Sequence, residues 1–404
     1  MKIVHTADWH IGKILHNQDL HEDIHLFFDW LLQYIKEENI DVLLVSGDIF
    51  DLANPANRDI RSYYQMLYKL SMTKTKIIIT GGNHDSVSHL DAPSHLLDVL
   101  DIVVIGGGRD DRNDMIIPCS DNTGQLECVV LAVPFLRDKE LRPTIKASEM
   151  NTKSEAISEA IKKYYDELVE LTIQKYGTNI PIIAMGHLFM QGSITSDSER
   201  EIHVGNLEGL QSDVIHPKID YMALGHIHKP QTIGNKPNIR YCGSPVFLDF
   251  SERDYEKRII VLDIEDQKTK SIKPINIPKS RELKKITGTL SEVEIALSSY
   301  HNEYQLPSFL EVEVVEDKKD YFKIQALDEL VSKVNNDNFK ILKQRISFLD
   351  NEKTAHNLRD ESKTIQELTP LEVFKLKLSG YHDGEIAHDD LIEIYMQLLE
   401  EIND

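Results

Sequence analysis

With 404 residues the chain exceeds the span of about 250–300 residues over which a single hydrophobic core keeps growing, so a large domain joined to smaller ones is expected. Its 41% hydrophobic and 28% charged residues suit a soluble globular protein; no run of ~18 uncharged apolar residues is present to cross a membrane, and three cysteines (Cys119, Cys128, Cys242) without CxxC spacing argue against a disulfide framework and a zinc ribbon. A net charge of −22 argues against nucleic-acid binding through the overall field of the chain, although residues 350–404, with 14 acidic against 5 basic side chains, hold a net −9 of it.

The chain opens on Met-Lys-Ile-Val-His-Thr-Ala-Asp, with no apolar segment behind a basic leader, so no signal peptide and a reducing, cytoplasmic setting are expected. Short β-branched or apolar runs then alternate with amphipathic stretches over the first ~270 residues, the pattern of a layered α/β domain. The runs predict strands at 2–7, 41–46, 76–80, 102–105, 128–133, 181–185, 219–224 and 258–264. Helices are predicted at 21–38, where Ile24, Phe28, Leu31, Leu32 and Ile35 share a face, and at 57–71, 90–99 and 154–175. From Gln267 to Lys285 the chain reads as a lysine-rich connector.

A separate α+β module follows over 271–348, with strands at 283–290, 308–315 and 338–347 and helices at 291–300 and 324–334. Residues 349–364 are almost wholly polar and read as a linker. In 365–404, Thr369-Pro370-Leu371-Glu372 is a capping box that opens a helix, and a second helix at about 387–402 carries Leu391, Ile394, Tyr395, Leu398 and Ile402 in one stripe. This pair packs on its own domain or docks a partner helix.

Five clusters of metal-ligand residues occur in order: Asp8-Trp9-His10, Gly47-Asp48, Gly82-Asn83-His84-Asp85, Gly186-His187 and Gly225-His226-Ile227-His228. Each follows an apolar run, where ligands gather in open α/β sheets, and the glycines let the backbone turn there. Carboxylate, imidazole and amide oxygen suit a divalent ion such as Mn, Fe or Zn. A single His beside a Gly is ordinarily a turn residue and an Asp after Gly a cap; five such clusters in order at strand ends are not explained that way.

With these motifs (D-x-H, GD, GNHD, GH and GHxH) the chain resembles the calcineurin-like metallophosphoesterase superfamily. The resemblance implies two β-sheets packed as a sandwich and flanked by helices, here over 1–270. It implies that Asp8, His10, Asp48 and His228 hold one metal ion and Asp48, Asn83, His187 and His226 another, with Asp48 bridging and manganese the expected metal. It further implies that His84 faces the scissile phosphate, with Asp85 orienting its ring. The forms His5-Thr6-Ala7-Asp8-Trp9-His10-Ile11-Gly12 and Gly47-Asp48-Ile49-Phe50-Asp51 are similar to the superfamily's double-strand-break-repair nucleases. Its Ser/Thr phosphatases carry GDxVDRG instead, and Leu52-Ala53 stand here where that Arg-Gly would be. That branch implies cleavage of double- and single-stranded DNA, a capping domain that admits DNA, and a C-terminal helical pair that binds an SbcC-like SMC-family ATPase. It also implies a homodimer formed through helices matching 57–71 and 90–99, with Tyr64, Leu67, Leu96 and Leu97 as the seam unless they are buried under the sheet.

Other readings stay open. A small-molecule phosphodiesterase or phosphatase on the same scaffold, or a chain that mainly scaffolds an ATPase, would share much of this pattern. Trp9 reads as a packing residue rather than a platform for a base, and His5 as structural. Lys13, His16, Arg58 and Arg61 contact DNA phosphates or are solvated. Gly106-Gly107-Gly108 reads as a turn, and the lack of a GxxxxGK[ST] loop leaves any ATP dependence to another protein.

Overall fold

The computed structural model describes residues 1–349 apart from 122, 142–152, 200–208, 319 and 335–336. The expected helical pair at 365–404 and all but the first residue of the linker at 349–364 lie outside the described residues. The chain divides into two compact units, Met1–Lys284 with Asn302–Phe309, and Lys285–His301 with Leu310–Asp404 so far as it is described.

The first unit is built on two six-stranded sheets. One runs in the order Lys268–Asn276, Arg258–Glu265, Lys2–Thr6, Val42–Ser46, Lys76–Thr80, Ile102–Ile105. Its last four strands are mutually parallel, and Lys2–Thr6 is antiparallel to Arg258–Glu265. The other runs Gln231–Ile233, Lys236–Tyr241, Ile219–Gly225, Ile182–His187, Leu126–Leu131, Ile116–Ser120. Val42–Ser46 is buried at every residue, as a parallel strand covered on both faces must be, and this explains why Val42 to Val45 reads as an unbroken apolar run. Ile3, Leu44 and Ile78 of the first sheet belong to one core cluster with Val130, Ala184 and Met222 of the second.

All eight strands predicted over the first 270 residues are present. The helix His21–Glu38 buries Ile24, Phe27, Phe28, Leu31 and Ile35, and Asn39 ends it in the left-handed conformation, its N–H on the Ile35 carbonyl. Full burial of each such side chain stabilises by about 1.5–3 kcal/mol. The helix read at 90–99 is instead two short ones, Val87–Asp91 and Ser94–Asp98, with Pro93 capping the second. Proline offers no N–H to continue the first.

The lysine-rich connector is corrected in part: Lys268–Asn276 is an edge strand, paired antiparallel with Arg258–Glu265 over its length. Its lysines alternate poorly with apolar residues because an edge strand with one open face buries little, so periodicity does not show it. Leu67 and Leu97 of the expected dimer seam are buried, whereas Leu96, Tyr68, Met72 and Val99 are exposed.

The second unit carries most of the sheet Leu283–Gly288, Ser308–Glu316, Phe339–Phe348 and the helices Leu290–Ser298 and Tyr321–Val334. Thr289 and Glu292 form a capping box on the first helix. Val293 and Leu297 of that helix pack in one cluster with Leu310, Val312, Val314, Leu327 and Phe339.

Candidate metal centre

The candidate ligand residues sit where strands end and the backbone reverses. Asp8 and His10 follow Lys2–Thr6, Asp48 follows Val42–Ser46, Asn83 and His84 follow Lys76–Thr80, His187 closes its strand, and His226 and His228 follow Ile219–Gly225. The loops are stitched together, since the N–H of Asp8 donates to the Gly47 carbonyl and that of His10 to the Asp48 carbonyl, both at 3.0 Å. Asp8, His10, Asp48 and His226 all have positive φ (53°, 44°, 49° and 98°). Four non-glycine residues in that region represent stored strain, which gathers at sites where side-chain aim is fixed by the surroundings. Close approach is required too: a Cβ on Gly82 would lie 2.1 Å from Asp48 Oδ1, and one on Gly225 would lie 1.8 Å from the Ser46 carbonyl oxygen.

Among the described residues, three groups bring ligand atoms within 4.8 Å of one another: Asp8, His10 and His228; His10, Asp48 and His84; and Asp48, His187 and His226. All of these side chains are buried. Asp48 Oδ2 lies 3.6 Å from His10 Nε2 and 3.2 Å from His187 Nε2, so a single carboxylate oxygen faces an imidazole from each side. Asn83 Oδ1 lies 2.8 Å from His187 Nε2. The seven residues expected as ligands, Asp8, His10, Asp48, Asn83, His187, His226 and His228, therefore converge, and His84 Nε2 stands 4.0 Å from Asp48 Oδ2.

The donor set fits divalent cations. His10 Nδ1 meets Asp51 Oδ1 and His228 Nδ1 meets Glu252 Oε1, each at 3.2 Å. With Nδ1–H donated outward from each ring, the two Nε2 lone pairs point at the same space, 3.2 Å apart. Asp8 Oδ2 is buried with no hydrogen-bond partner, and unpaired buried oxygens and opposed lone pairs both call for a positive charge between them. Burial pushes Asp8 up to about 7, and although burial opposes it, the charge of Asp48 raises His187 to about 9. Burial lowers His10 to about 4, leaving that ring neutral and available as a ligand.

Beside the role expected of Asp85 at His84, the structure gives it another. Its carboxylate accepts hydrogen bonds from the backbone N–H groups of Gly82 (2.8 Å), Ile49 and Phe50 (3.0 Å each), tying the third motif to the second. The His84 ring is held by a main-chain group, Nδ1 donating to the Asp51 carbonyl at 2.7 Å. Trp9 is wholly buried, its Nε1–H on Thr6 Oγ1 and its ring edge-on to Phe28, which makes it a packing residue. His5 is also buried, 2.9 Å from the Tyr221 hydroxyl.

Sequence reading missed Glu252 and Ser198 and gave no task to Asp51. Ser198 Oγ lies 2.6 Å from His228 Nδ1 and donates to Glu252 Oε1, also at 2.6 Å. The contacts of Lys13 and Arg58, candidates for DNA phosphates, are with Asp51 and with Asp19 and Asp59. Acidic partners at unrelated sequence distances carry no motif, so only Asp51, within the Gly47-Asp48-Ile49-Phe50-Asp51 run, had a signal that could have marked it.

Comparison with known proteins agrees with this geometry. Residues 1–230 match the family model described as calcineurin-like phosphoesterase, and residues 279–380 match that described as type 5 capsule protein repressor C-terminal domain. The chain is 29% identical to the SbcD subunit of the SbcCD nuclease of Escherichia coli K12, over 94% of this chain and 93% of the relative. The SbcD proteins of Rhodobacter capsulatus and Staphylococcus epidermidis are 36% identical over 65% of this chain and 66% of the relative, and 30% identical over 72% and 74%.

Proposed function

Since the chain belongs to the calcineurin-like phosphoesterases, and among them to the SbcD nucleases, we propose that it hydrolyses DNA phosphodiester bonds at a centre of two divalent ions, manganese by preference. The observation that carries this reading is the shared carboxylate, Asp48 Oδ2, with a candidate ligand imidazole on either side. In the proposal Asp8, His10, Asp48 and His228 hold one ion, and Asp48, Asn83, His187 and His226 the other. When bound, such a pair supplies charge neutralisation for the phosphate and activation of water for an in-line displacement.

The remaining work falls to the chain. Asp48 keeps its negative charge: burial alone would raise its pKa, but His187, His10 and His84 around it hold it well below the usual carboxylate range. The Nδ1–H of His84 is committed to the Asp51 carbonyl, so Nε2 is the atom that donates a hydrogen bond to the phosphate or a proton to the departing sugar oxygen. Asp85 keeps the loops that carry Asp48 and His84 in register.

The proposed setting is an SbcCD-type complex with an SbcC-like SMC-family ATPase. There the chain acts as an ATP-dependent 3′-5′ double-strand exonuclease and a single-strand endonuclease in DNA repair and recombination. Residues 271–348 form the capping module and 365–404 the docking segment for the ATPase. A homodimer is part of the proposal, its seam keeping Tyr64 and the exposed Leu96, with the exposed Tyr68, Met72 and Val99 in place of the buried Leu67 and Leu97. The complex is cytoplasmic in this reading, and no helix of the described residues is long and apolar enough to cross a membrane.

The test is cleavage of single-stranded and end-labelled duplex DNA by the purified chain with manganese. Asp48→Ala is expected to abolish it, and His84→Gln to bring it down to a trace. Undiminished cleavage by both variants would overturn the site, and turnover of nucleotides or phosphoproteins without DNA cleavage would favour a small-molecule phosphoesterase.

A further inference from the structure

Lys13, Arg58 and Lys257 are each neutralised by acids of the chain itself, the first by Asp51, the second by Asp19 and Asp59, the third by Glu252. Arg137 is different. Its guanidinium takes part in no ion pair among the described residues: Nη2 donates to the Asp85 carbonyl at 2.7 Å, and Nη1 is buried without a hydrogen-bond partner. Glu140, the acid three residues on, is turned to the main chain, its Oε2 accepting the Arg137 N–H at 2.8 Å.

This cation flanks the candidate centre. Arg137 belongs to the segment after the strand Leu126–Leu131, and that segment is stitched to the third motif by Phe135 N–H, which donates to the Gly81 carbonyl at 2.8 Å. The Phe135 ring is edge-on to His187, with 6.3 Å between centroids, and the Arg137 guanidinium lies over the same ring at 5.6 Å. The carbonyl that holds Nη2 is one residue past His84, the group assigned above to the reacting phosphate. A guanidinium keeps its proton in a protein, so an unpaired N–H and an unneutralised charge are a standing cost here. An anion removes that cost, and the planar fork of N–H groups suits the non-bridging oxygens of a phosphodiester.

We propose that Arg137 is a phosphate-binding residue: it grips the phosphodiester next to the one that is cut, and so sets which bond of the strand meets the metal centre. The scissile phosphate itself is left to the ions and His84. Nη1 is shielded while the residue as a whole is half-buried, so the docking strand uncovers that nitrogen and the contact forms with substrate in place. In a chain of net charge −22, whose overall field opposes nucleic acid, such a contact acts on binding rather than on the chemical step. The inference rests on the nuclease reading above.

The experiment is single-turnover cleavage of a short single-stranded DNA by the full chain with Mn²⁺, on a series of strands in which one phosphate at a time is replaced by an uncharged methylphosphonate. For wild type, neutralising one phosphate beside the cut should raise the half-saturating DNA concentration by about 10–100-fold, the range of a charge-assisted contact. Arg137→Ala should raise it as much on the unmodified strand and keep the saturated rate close to wild type. It should also be indifferent to the methylphosphonate at that position while responding as wild type at the others. Arg137→Lys keeps the charge and a donor for the Asp85 carbonyl, so it should show part of the loss and a reduced response at the same position; this variant carries the test should the alanine variant unfold. Methylphosphonate penalties identical in variants and wild type at every position would overturn the inference. So would a fall in saturated rate together with melting temperature, which would make Arg137 a strut for the Asp85 carbonyl; both results leave the nuclease reading intact. A wild-type chain that cleaves no DNA would overturn that reading and the inference with it.

Discussion

His84 is oriented by the main-chain carbonyl of Asp51, which accepts from its Nδ1 at 2.7 Å. The support is a backbone atom, so side-chain substitution at Asp51 leaves it in place, whereas anything that moves the loop after Asp48 moves His84 with it.

Replacement of His84 by glutamine should therefore separate chemistry from binding. Turnover is expected to fall by about 10²–10⁴-fold, the ordinary contribution of a positioned acid or base, while manganese stoichiometry stays that of wild type. Single-turnover cleavage and a metal titration on one preparation check it, and a loss of bound metal would remove the distinct role of His84.

Asp85→Ala should behave differently, because three buried backbone N–H groups lose their acceptor. Each unsatisfied donor costs about 1–3 kcal/mol. Thermal stability and manganese affinity are expected to fall together, visible in melting curves with and without Mn²⁺. A variant that melts as wild type yet cleaves nothing would instead restore a direct catalytic role.

Gly82→Ala and Gly225→Ala test the packing of the loops. The new methyl would meet Asp48 Oδ1 at 2.1 Å in the first and the Ser46 carbonyl at 1.8 Å in the second, so either must displace a ligand-bearing loop. Both should lose manganese binding, and wild-type binding by Gly82→Ala would show that Asp48 can shift without cost.

Arg281 and Asp23 are buried and joined by two hydrogen bonds, of 2.7 and 2.8 Å, with the guanidinium 3.8 Å over the Phe309 ring. Arg281→Met leaves Asp23 buried and uncompensated and should cost about 3–5 kcal/mol in chemical denaturation. The double change with Asp23→Leu should recover part of that loss; equal costs for single and double variants would show the charges to be independent.

Metal should stabilise the chain more at high pH. His187, raised from 6.5 to about 9, contributes stability fully present below pH 6.5 and lost as pH rises through 9. Asp8, raised from 3.8 to about 7, makes the folded state less stable as pH rises through that interval. A cation replaces the protons both groups retain, so the gain in melting temperature on adding Mn²⁺ should be larger at pH 8 than at pH 6. At a concentration 100 times its dissociation constant each ion adds about 2.7 kcal/mol. A gain that shrinks as pH rises would contradict this account.

The amino-acid sequence by itself determined the ladder of candidate ligand residues and the strands that carry them. A buried parallel strand such as Val42–Ser46 reads as an apolar run, here Val42 to Val45, and a ligand past its end must follow a turn, so both leave local signals. Only the tertiary structure decided what stands behind each ligand. Glu252 backs His228 across 24 residues, Asp51 backs His10 across 41, and the Ser46 carbonyl backs His187 across 141. No periodicity spans such separations. Asp85 shows the same limit at close range: beside His84 in sequence, it turns its carboxylate to the backbone of Ile49 and Phe50, because three buried N–H groups there had no other acceptor.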